Sequence, residues 1–291
     1  MAERFSYRFL KNALAALAVS IPLTAAAQAV PERVVSLDFC ADQYVLAFAD
    51  RAQIAAVSSD ALTPDSFFRA RALGLPEIHG TPEEVLARHA GLVVRTWRGS
   101  LATDALVRRL GTRTFQPGYA MTLADNFTLF EKAAAALGHP ARGRAMAADY
   151  RTRLAALKAK PKSRLKAVYM TPSGFTAGTG TYVDKVIHLA GFDTVAREAD
   201  LKGWGPLPLE KMIISPPDLI IGSFFDRPDV HISAWSGGRH SVYKRLLASL
   251  PVIMVPSREL SCGGAFFVDA AETIRRKGET LGLFSKAEAT P

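Results

Sequence analysis

Hydrophobic positions occur along the chain in short aliphatic runs separated by segments with apolar residues at helical spacing. The runs RVVSL (33–37), QIAAVS (53–58) and LVVRTW (92–97) are typical of buried strands. After KPKSRLK (160–166) the same alternation resumes with AVYM, DLIIGSF and VIMV. Strands that alternate with helices predict mostly parallel sheets with helices on both faces. We therefore predict an α/β fold.

One segment interrupts the alternation. Between Pro140 and Ala159, Met146, Tyr150 and Leu154 recur at helical spacing in a charged, Ala-rich background, which predicts one helix of about 20 residues and about 30 Å. A chain of 291 residues suits about two domains, and this helix is long enough to connect them. The predicted parts are an N-terminal lobe (30–138), an interlobe helix (139–160) and a C-terminal lobe (161–291).

The first 29 residues have the pattern of a secretory signal peptide. The basic start MAERFSYRFLK precedes a short apolar run and the A-x-A site AQA (27–29). An N-terminal anchor is the alternative, but the run is shorter than the roughly 20 apolar residues that span a bilayer. No cysteine follows directly for lipid attachment. We expect cleavage after Ala29 and an exported, periplasmic protein.

The amino-acid composition and net charge indicate which kinds of molecule the protein could bind. With 49% hydrophobic and 22% charged residues the chain can form a large core, and its formal net charge is +9. Basic proteins can bind nucleic acid, but no basic run with interleaved aromatic residues occurs. We expect no nucleic-acid partner. The positive charge then indicates a solvated surface or attraction of an anionic ligand or membrane surface.

A short motif occurs twice. PEEVLARHAGLVV (82–94) and PLEKMIISPPDLII (208–221) both begin Pro-x-Glu, continue with a helical pattern and end in an aliphatic run. Glu84 and Glu210 are 126 positions apart, as are the two prolines. A carboxylate in the first turn of a helix is favoured by the helix dipole. The repetition predicts two lobes of similar structure.

The order of several such segments resembles the periplasmic binding proteins for cobalamin and ferric siderophores. The resemblance covers the mature chain and is carried by PERVVSLDFCADQYVLAFA, PEEVLARHAGLVVRTWRG, YMTPSGFTAGTGTYVDKVIHLAGFDTVA and GWGPLPLEKMIISPPDLII. TWRG and GWGPLPLE are most similar to the cobalamin binders. The resemblance implies two Rossmann-like lobes joined by one long helix, with a ligand cleft between them. It also implies a monomer that delivers cobalamin, haem or a siderophore to an ABC permease dimer with its ATPase, and needs no cofactor of its own.

The resemblance also assigns roles to individual residues. Glu84 and Glu210 match the glutamates that dock against permease arginines in that family. Trp97 and Trp204 match its cleft positions, and Trp235 precedes SGG in a similar Gly-flanked loop. Rigid aromatic side chains in such loops suit a large planar ligand, with loop packing as the alternative role.

Further ligand candidates follow strand ends. Arg98 and Arg258 come after predicted strands, and in open α/β sheets ligands bind beyond the carboxyl ends of the strands. Their guanidinium groups could meet carboxylate or phosphate, although solvation at the surface is an equal alternative. Tyr119 and Phe175 are additional aromatic candidates.

The two cysteines, Cys40 and Cys262, lie in loops of different lobes that would both face the cleft. An even number of cysteines in an exported chain favours a disulfide, which requires Cα atoms within about 7 Å. Two free or ligand-facing thiols are the alternative.

Catalytic and metal motifs are missing from the sequence. It contains no HExxH, GxSxG or CxxC, and its six histidines show no paired spacing. GTGTYV (178–183) lacks the third glycine of a dinucleotide loop and is typical of a turn that enters a helix. We predict a binding protein with no catalytic residues and no resident metal. The alternatives are a secreted α/β enzyme, or a zinc or manganese binder with His and carboxylate ligands converging on the cleft.

Overall fold

The computed structural model describes residues 33–96, 101–118, 120, 122–225, 240–262 and 266–284. In these residues five parallel strands form the first sheet, in the order β3-β2-β1-β4-β5. The strands are β1 (Val34–Ser36), β2 (Ile54–Ser58), β3 (Glu77–Ile78), β4 (Leu92–Val94) and β5 (Arg113–Phe115).

The second sheet is also parallel, with the order β11-β10-β6-β8 in the described part of the chain. A separate antiparallel ribbon pairs β7 with β9. The strands of this half are β6 (Lys166–Met170), β7 (Phe175–Ala177), β8 (Asp193–Thr194), β9 (Trp204–Pro206), β10 (Leu219–Ser223) and β11 (Val252–Val255).

Helices surround both sheets. Strands β1 and β10 are buried along their whole length, because helices cover both faces of a parallel sheet and exclude water. The helices are α1 (Phe39–Phe48), α2 (Arg69–Ala72), α3 (Pro82–Ala87), α4 (Leu101–Arg109), α5 (Asp125–Ala136), α6 (Pro140–Lys158), α7 (Tyr182–Ala190), α8 (Leu209–Ile214), α9 (Ser241–Ser249), α10 (Ser257–Leu260) and α11 (Phe267–Thr280), with a 3₁₀ turn at Arg51–Gln53.

Helix α6 is the long helix predicted from the sequence, and it packs on both lobes. Gly143 allows close approach to α5, since a Cβ there would lie 2.6 Å from the Cβ of Ala134. On the other side, the Tyr150 hydroxyl donates to Asp269 of α11 at 2.5 Å, and Arg153 forms an ion pair with the same carboxylate at 2.7 Å. The helix therefore connects the lobes through packed contacts.

The hydrophobic core continues from one lobe into the other. One cluster contains Phe48 and Phe130 from the first lobe, Tyr150 from α6, and Phe267 and Ile253 from the second. The predicted α/β fold with two lobes and a connecting helix is confirmed. In the part of the chain that the structure describes, no helix is both long and apolar enough to cross a membrane.

Candidate functional site

A cavity of about 340 Å³ lies between the two lobes. It is bordered by the first two turns of α1, by Thr96 just beyond β4, by Pro117, Gly118 and Ala120 beyond β5, by Leu129 of α5 and by the residues that follow α10. These positions are the carboxyl ends of strands in both sheets, where open α/β folds bind ligands. The lining residues used below are Phe39, Cys40, Tyr44, Thr96, Ser261 and Cys262.

Asp38 fixes the first-lobe wall of this cavity. As the N-cap of α1, its carboxylate accepts a hydrogen bond from the backbone N–H of Ala41 at 2.9 Å. The same carboxylate accepts from the Thr96 backbone N–H at 2.8 Å and from the Thr96 hydroxyl at 2.5 Å. Because one buried side chain caps the helix and holds the end of β4, Thr96 has a defined position in the wall.

A disulfide joins the lobes at the wall of the cavity. Cys40 on α1 and Cys262 after α10 are linked, with their Cα atoms 5.3 Å apart, inside the usual range for a disulfide. The predicted disulfide is confirmed, and the alternative of free or ligand-facing thiols is wrong. The ligand would therefore meet a covalent bridge at this end of the cleft.

Further contacts between the lobes lie beside this bridge. They bury polar groups of the segment 64–67, since Asp65 is only 6% exposed. Together with the disulfide we call them the interlobe clamp. Its other members are the hydrogen bonds from the Ser261 hydroxyl to Asp65 (3.1 Å) and from the Ser257 hydroxyl to the Pro64 carbonyl (3.3 Å), and the stacked rings of Phe67 and Phe266 (centroids 3.9 Å apart).

The antiparallel ribbon carries two of the predicted aromatic residues. Phe175 pairs with Pro206 and Ala177 with Trp204, so these side chains share one face of the ribbon. Phe175 is 46% and Trp204 54% exposed, and the Trp204 ring rests edge-on against Tyr169 at 5.8 Å. The structure therefore presents both aromatic side chains to solvent on a hydrogen-bonded scaffold.

A second cavity of about 270 Å³ extends the cleft towards this ribbon. Ala120 lines both cavities, and Gly180, Tyr182 and Lys185 of the second lobe line the far one. The loop that begins α7 is hydrogen-bonded to the ribbon region, with the Gly178 N–H donating to the Gly203 carbonyl at 2.8 Å. The two cavities adjoin at Ala120, and together we call them the interlobe cleft.

Arg258 lies shortly after β11, as the sequence indicates. It lies on α10, and its side chain, 45% exposed, forms an ion pair with Glu259 at 3.8 Å. Burial raises the pKa of Glu259. Arg258 is not among the described residues that line either cavity. Its contact with an anionic ligand group stays a prediction.

Four predicted ligand residues fall outside the described residues, as does the predicted signal peptide. They are Trp97, Arg98, Tyr119 and Trp235.

In the structure, Glu84 and Glu210 do not occupy equivalent positions of their helices. Thr81 is the N-cap of α3, so Glu84 is the third residue of that helix. Pro208 is itself the N-cap of α8, so Glu210 is the second. The residue of α3 that corresponds to Glu210 is therefore Glu83. The sequence alignment is off by one because the first proline lies inside its helix and the second lies before it.

Glu84 also has a local role. Its carboxylate accepts hydrogen bonds from the backbone N–H groups of Thr81 at 3.0 Å and His79 at 3.1 Å. These hydrogen bonds, chiefly that from Thr81, lower the pKa of Glu84. Glu83 and Glu210, by contrast, are exposed. Glu84 thus completes a capping box, which favours the start of α3.

Sequence reasoning missed Asp38 and Tyr44. Tyr44 follows Cys40 by four residues on α1, a spacing that places both on one helix face. That spacing was the available signal, but a tyrosine followed by the apolar residues Val45 and Leu46 is also typical of a core position. As for metal binding, no three His, Cys, Asp or Glu side chains are grouped to hold an ion in the described residues.

Comparison with known proteins agrees with this architecture. Residues 107–227 match the family described as periplasmic binding protein. No curated protein sequence matches the chain. Similar solved structures include the periplasmic heme-binding protein RhuT of Roseiflexus sp. RS-1 in apo form (22% identity, 84% of this chain and 98% of that chain covered, TM-score 0.60). The periplasmic heme-binding protein HutB of Vibrio cholerae is 21% identical, with 84% of this chain and 97% of that chain covered and a TM-score of 0.67. The periplasmic vitamin B12-binding protein BtuF of Vibrio cholerae is 19% identical, with 87% of this chain and 98% of that chain covered and a TM-score of 0.61. At these identities the likeness establishes the fold, that of two-lobed periplasmic binding proteins.

Proposed function

We propose that this protein is the substrate-binding protein of an ABC importer, which captures cobalamin or an iron chelate in the periplasm. The observation that carries the proposal is the interlobe cleft at the carboxyl ends of both sheets. Concave, largely apolar sites with a few polar groups are typical of small-molecule binding. The iron chelates considered are haem and ferric siderophores.

The comparisons support this class. The matched family is one of periplasmic binding proteins, and similar structures are named for heme or vitamin B12 binding. Both ligands are large, planar macrocycles. The exposed rings of Phe175 and Trp204 are suited to contact such a surface. Trp97, Arg98, Tyr119, Trp235 and Arg258 stay candidates for the remaining contacts.

The chemistry of the cleft favours binding over catalysis. The described residues that line the cavity beside the disulfide carry apolar groups and hydroxyls, with no acid or base among them. A zinc or manganese protein would need several His and carboxylate ligands in the cleft, and the described lining offers none. We therefore favour the binding of a chelate or corrinoid over both catalysis and the binding of a free zinc or manganese ion.

For the permease, we propose Glu83 and Glu210 as the pair of docking carboxylates, one per lobe. Both are exposed and occupy the second position of a short helix. Charges on the rim of an interface steer encounter and fix orientation. Glu84, the residue indicated by the sequence alignment, already uses its carboxylate in the capping box.

A titration tests the function. Purified mature protein is mixed with cyanocobalamin, haemin and a ferric siderophore, and visible spectra and thermal unfolding are recorded. We expect saturable binding of at least one compound with an accompanying rise in Tm, because a ligand that binds only the folded state stabilises it. Failure of all three to bind would overturn the proposal.

A further inference from the structure

Helix α8 exposes two adjacent isoleucines. Ile213 is 64% and Ile214 84% exposed, the highest values among the large apolar side chains of the described residues. Glu210 on the same helix is exposed as well. The three residues have the spacing i, i+3 and i+4, which places them on one side of a helix. We call Glu210, Ile213 and Ile214 the α8 face.

The other sides of α8 hold the helix against the second lobe. Met212 is 1% exposed and packs in the core of that lobe. The Lys211 ammonium donates a hydrogen bond to the carbonyl of Ala199. Just beyond the helix, the Ser215 hydroxyl donates to the carboxylate of Glu198 at 3.3 Å. Because these contacts fix the orientation of the helix, the α8 face is presented to solvent on a rigid support.

The first lobe repeats this arrangement with less apolar surface. Glu83 occupies the second position of α3, as Glu210 does in α8, and the fourth residue of each helix is buried. The fifth and sixth positions of α3 are Leu86, which is partly buried, and Ala87, which is exposed. Each lobe therefore presents a carboxylate followed one turn later by apolar residues, and the second lobe exposes the larger apolar side chains.

The chemistry of the α8 face indicates what covers it. The two isoleucines suit an apolar recess, and the carboxylate suits a cation beside that recess. An anionic lipid surface attracts basic segments and would repel Glu210. A symmetric contact between two copies of this chain would bring Glu210 close to its own counterpart, which is unfavourable for like charges. A protein surface with a basic group next to an apolar recess meets both requirements.

We propose that the α8 face is the principal anchor of this protein on its permease, with Ile213 and Ile214 inserted into an apolar recess beside the cation that pairs with Glu210. The inference rests on the proposed function and adds an apolar anchor to the pair of docking carboxylates. Clustered exposed apolar residues mark interaction sites. Buried anchors supply most of the affinity of an interface, whereas charges on its rim steer the encounter.

The test measures binding of the full mature protein to the cognate permease–ATPase complex in nanodiscs by surface plasmon resonance. Ile213→Ser/Ile214→Ser is compared with Leu86→Ser/Ala87→Ser, the equivalent pair of the first lobe. We expect the α8 variant to bind the complex about 10- to 100-fold more weakly than the parent, chiefly through faster dissociation. The first-lobe variant should lose less affinity, because it removes less exposed apolar surface.

Leu281→Ser is the control for the loss of an exposed aliphatic side chain elsewhere. Leu281 is 49% exposed and follows α11. Met212 of α8 packs with Ile220 of β10, whereas Phe267 of α11 packs in the cluster of the neighbouring Ile221. Adjacent residues of a strand point to opposite faces of the sheet, so the two helices lie on opposite faces. The control should bind the complex like the parent.

Folding and ligand capture are measured on the same samples. Thermal unfolding and titration with cyanocobalamin, haemin and a ferric siderophore should give the parental result for the α8 variant. Its two isoleucines are exposed, and they are not among the described residues that line the cleft. A loss of binding to the complex alone then assigns the α8 face to docking.

The other outcomes overturn the inference at different points. Parental binding by the α8 variant, with Glu83→Lys/Glu210→Lys impaired, would remove the apolar anchor and leave the docking pair. Equal losses in both serine pairs would contradict a principal anchor on the second lobe. Parental binding to nanodiscs without transporter would assign the α8 face to lipid, and a dimer in analytical ultracentrifugation that the serines dissociate would assign it to a second copy. A parent that captures ligand but does not bind the complex would refute docking alone, whereas a parent that captures no ligand would refute the proposed function.

Discussion

Removal of the Cys40–Cys262 disulfide should destabilise the protein substantially. The bridge closes a loop with a sequence separation of 222 residues. The chain-entropy relation for a loop of that size gives about 5 kcal/mol at 25 °C, and measured disulfides more often contribute about 2 to 4 kcal/mol. We expect the lower range, because the rest of the interlobe clamp and the continuous core still hold the lobes together in the reduced protein.

Urea unfolding followed by far-UV circular dichroism measures this loss. The oxidised parent, the parent in excess dithiothreitol and the Cys40→Ser/Cys262→Ser variant are compared, and the free energy of unfolding is taken from midpoint and slope. The reduced parent and the double variant should agree and both lie about 2 to 4 kcal/mol below the oxidised parent. Dithiothreitol should not change the double variant further. Equal stability of all samples would refute a structural interlobe disulfide.

Three other predictions concern Trp204 of the ribbon, the buried carboxyl group of Asp42, and the exposed pair Glu83 and Glu210. Trp204→Ala should weaken chelate binding by about 1 to 3 kcal/mol with little change in Tm, because the ring is 54% exposed; unchanged affinity in a titration would remove the ribbon from the site. Burial raises the pKa of Asp42 from 3.8 to about 7, so the folded state keeps a proton that the unfolded chain loses. Stability should therefore fall as pH rises from about 4 to about 7, by roughly 2 to 3 kcal/mol between pH 5 and pH 8. The fall in the urea midpoint over this pH range should be larger in the parent than in Asp42→Asn. The double variant Glu83→Lys/Glu210→Lys should abolish uptake in vesicles with the cognate transporter and leave ligand binding intact. Glu84→Lys, by contrast, should lower Tm. Transport at the parental rate by the double variant would contradict the proposed docking pair.

The elements with strong local signals could be predicted from the sequence. Aliphatic runs became buried parallel strands, and GTGTYV (178–183), interpreted as a turn that enters a helix, leads into α7 (Tyr182–Ala190). Its boundaries follow from a Thr181 N-cap and a left-handed Gly191, at φ 100°, where glycine is favoured. Local chemistry alone defines such boundaries.

Features that depend on tertiary contact could not be predicted. The β7–β9 ribbon includes Trp-Gly-Pro, which has no strand periodicity, and in it the buried Thr176 pairs with Gly205. The Cys40–Cys262 disulfide could be predicted from the even number of cysteines, but the close approach of the two lobes that it requires is encoded in no local pattern. The helix positions of Glu84 and Glu210 could not be predicted either, because Pro82 lies inside its helix whereas Pro208 lies just before its helix.

Hydrogen–deuterium exchange with and without bound ligand tests the central claim most directly, that the ligand lies between the lobes. The probe is whichever of cyanocobalamin, haemin or ferric siderophore binds in the titration. The interlobe cleft predicts slower exchange in peptides of both lobes, around 39–48 and 117–129 in the first and around 178–185 and 257–262 in the second. Protection confined to one lobe, or to surfaces away from these segments, would contradict it.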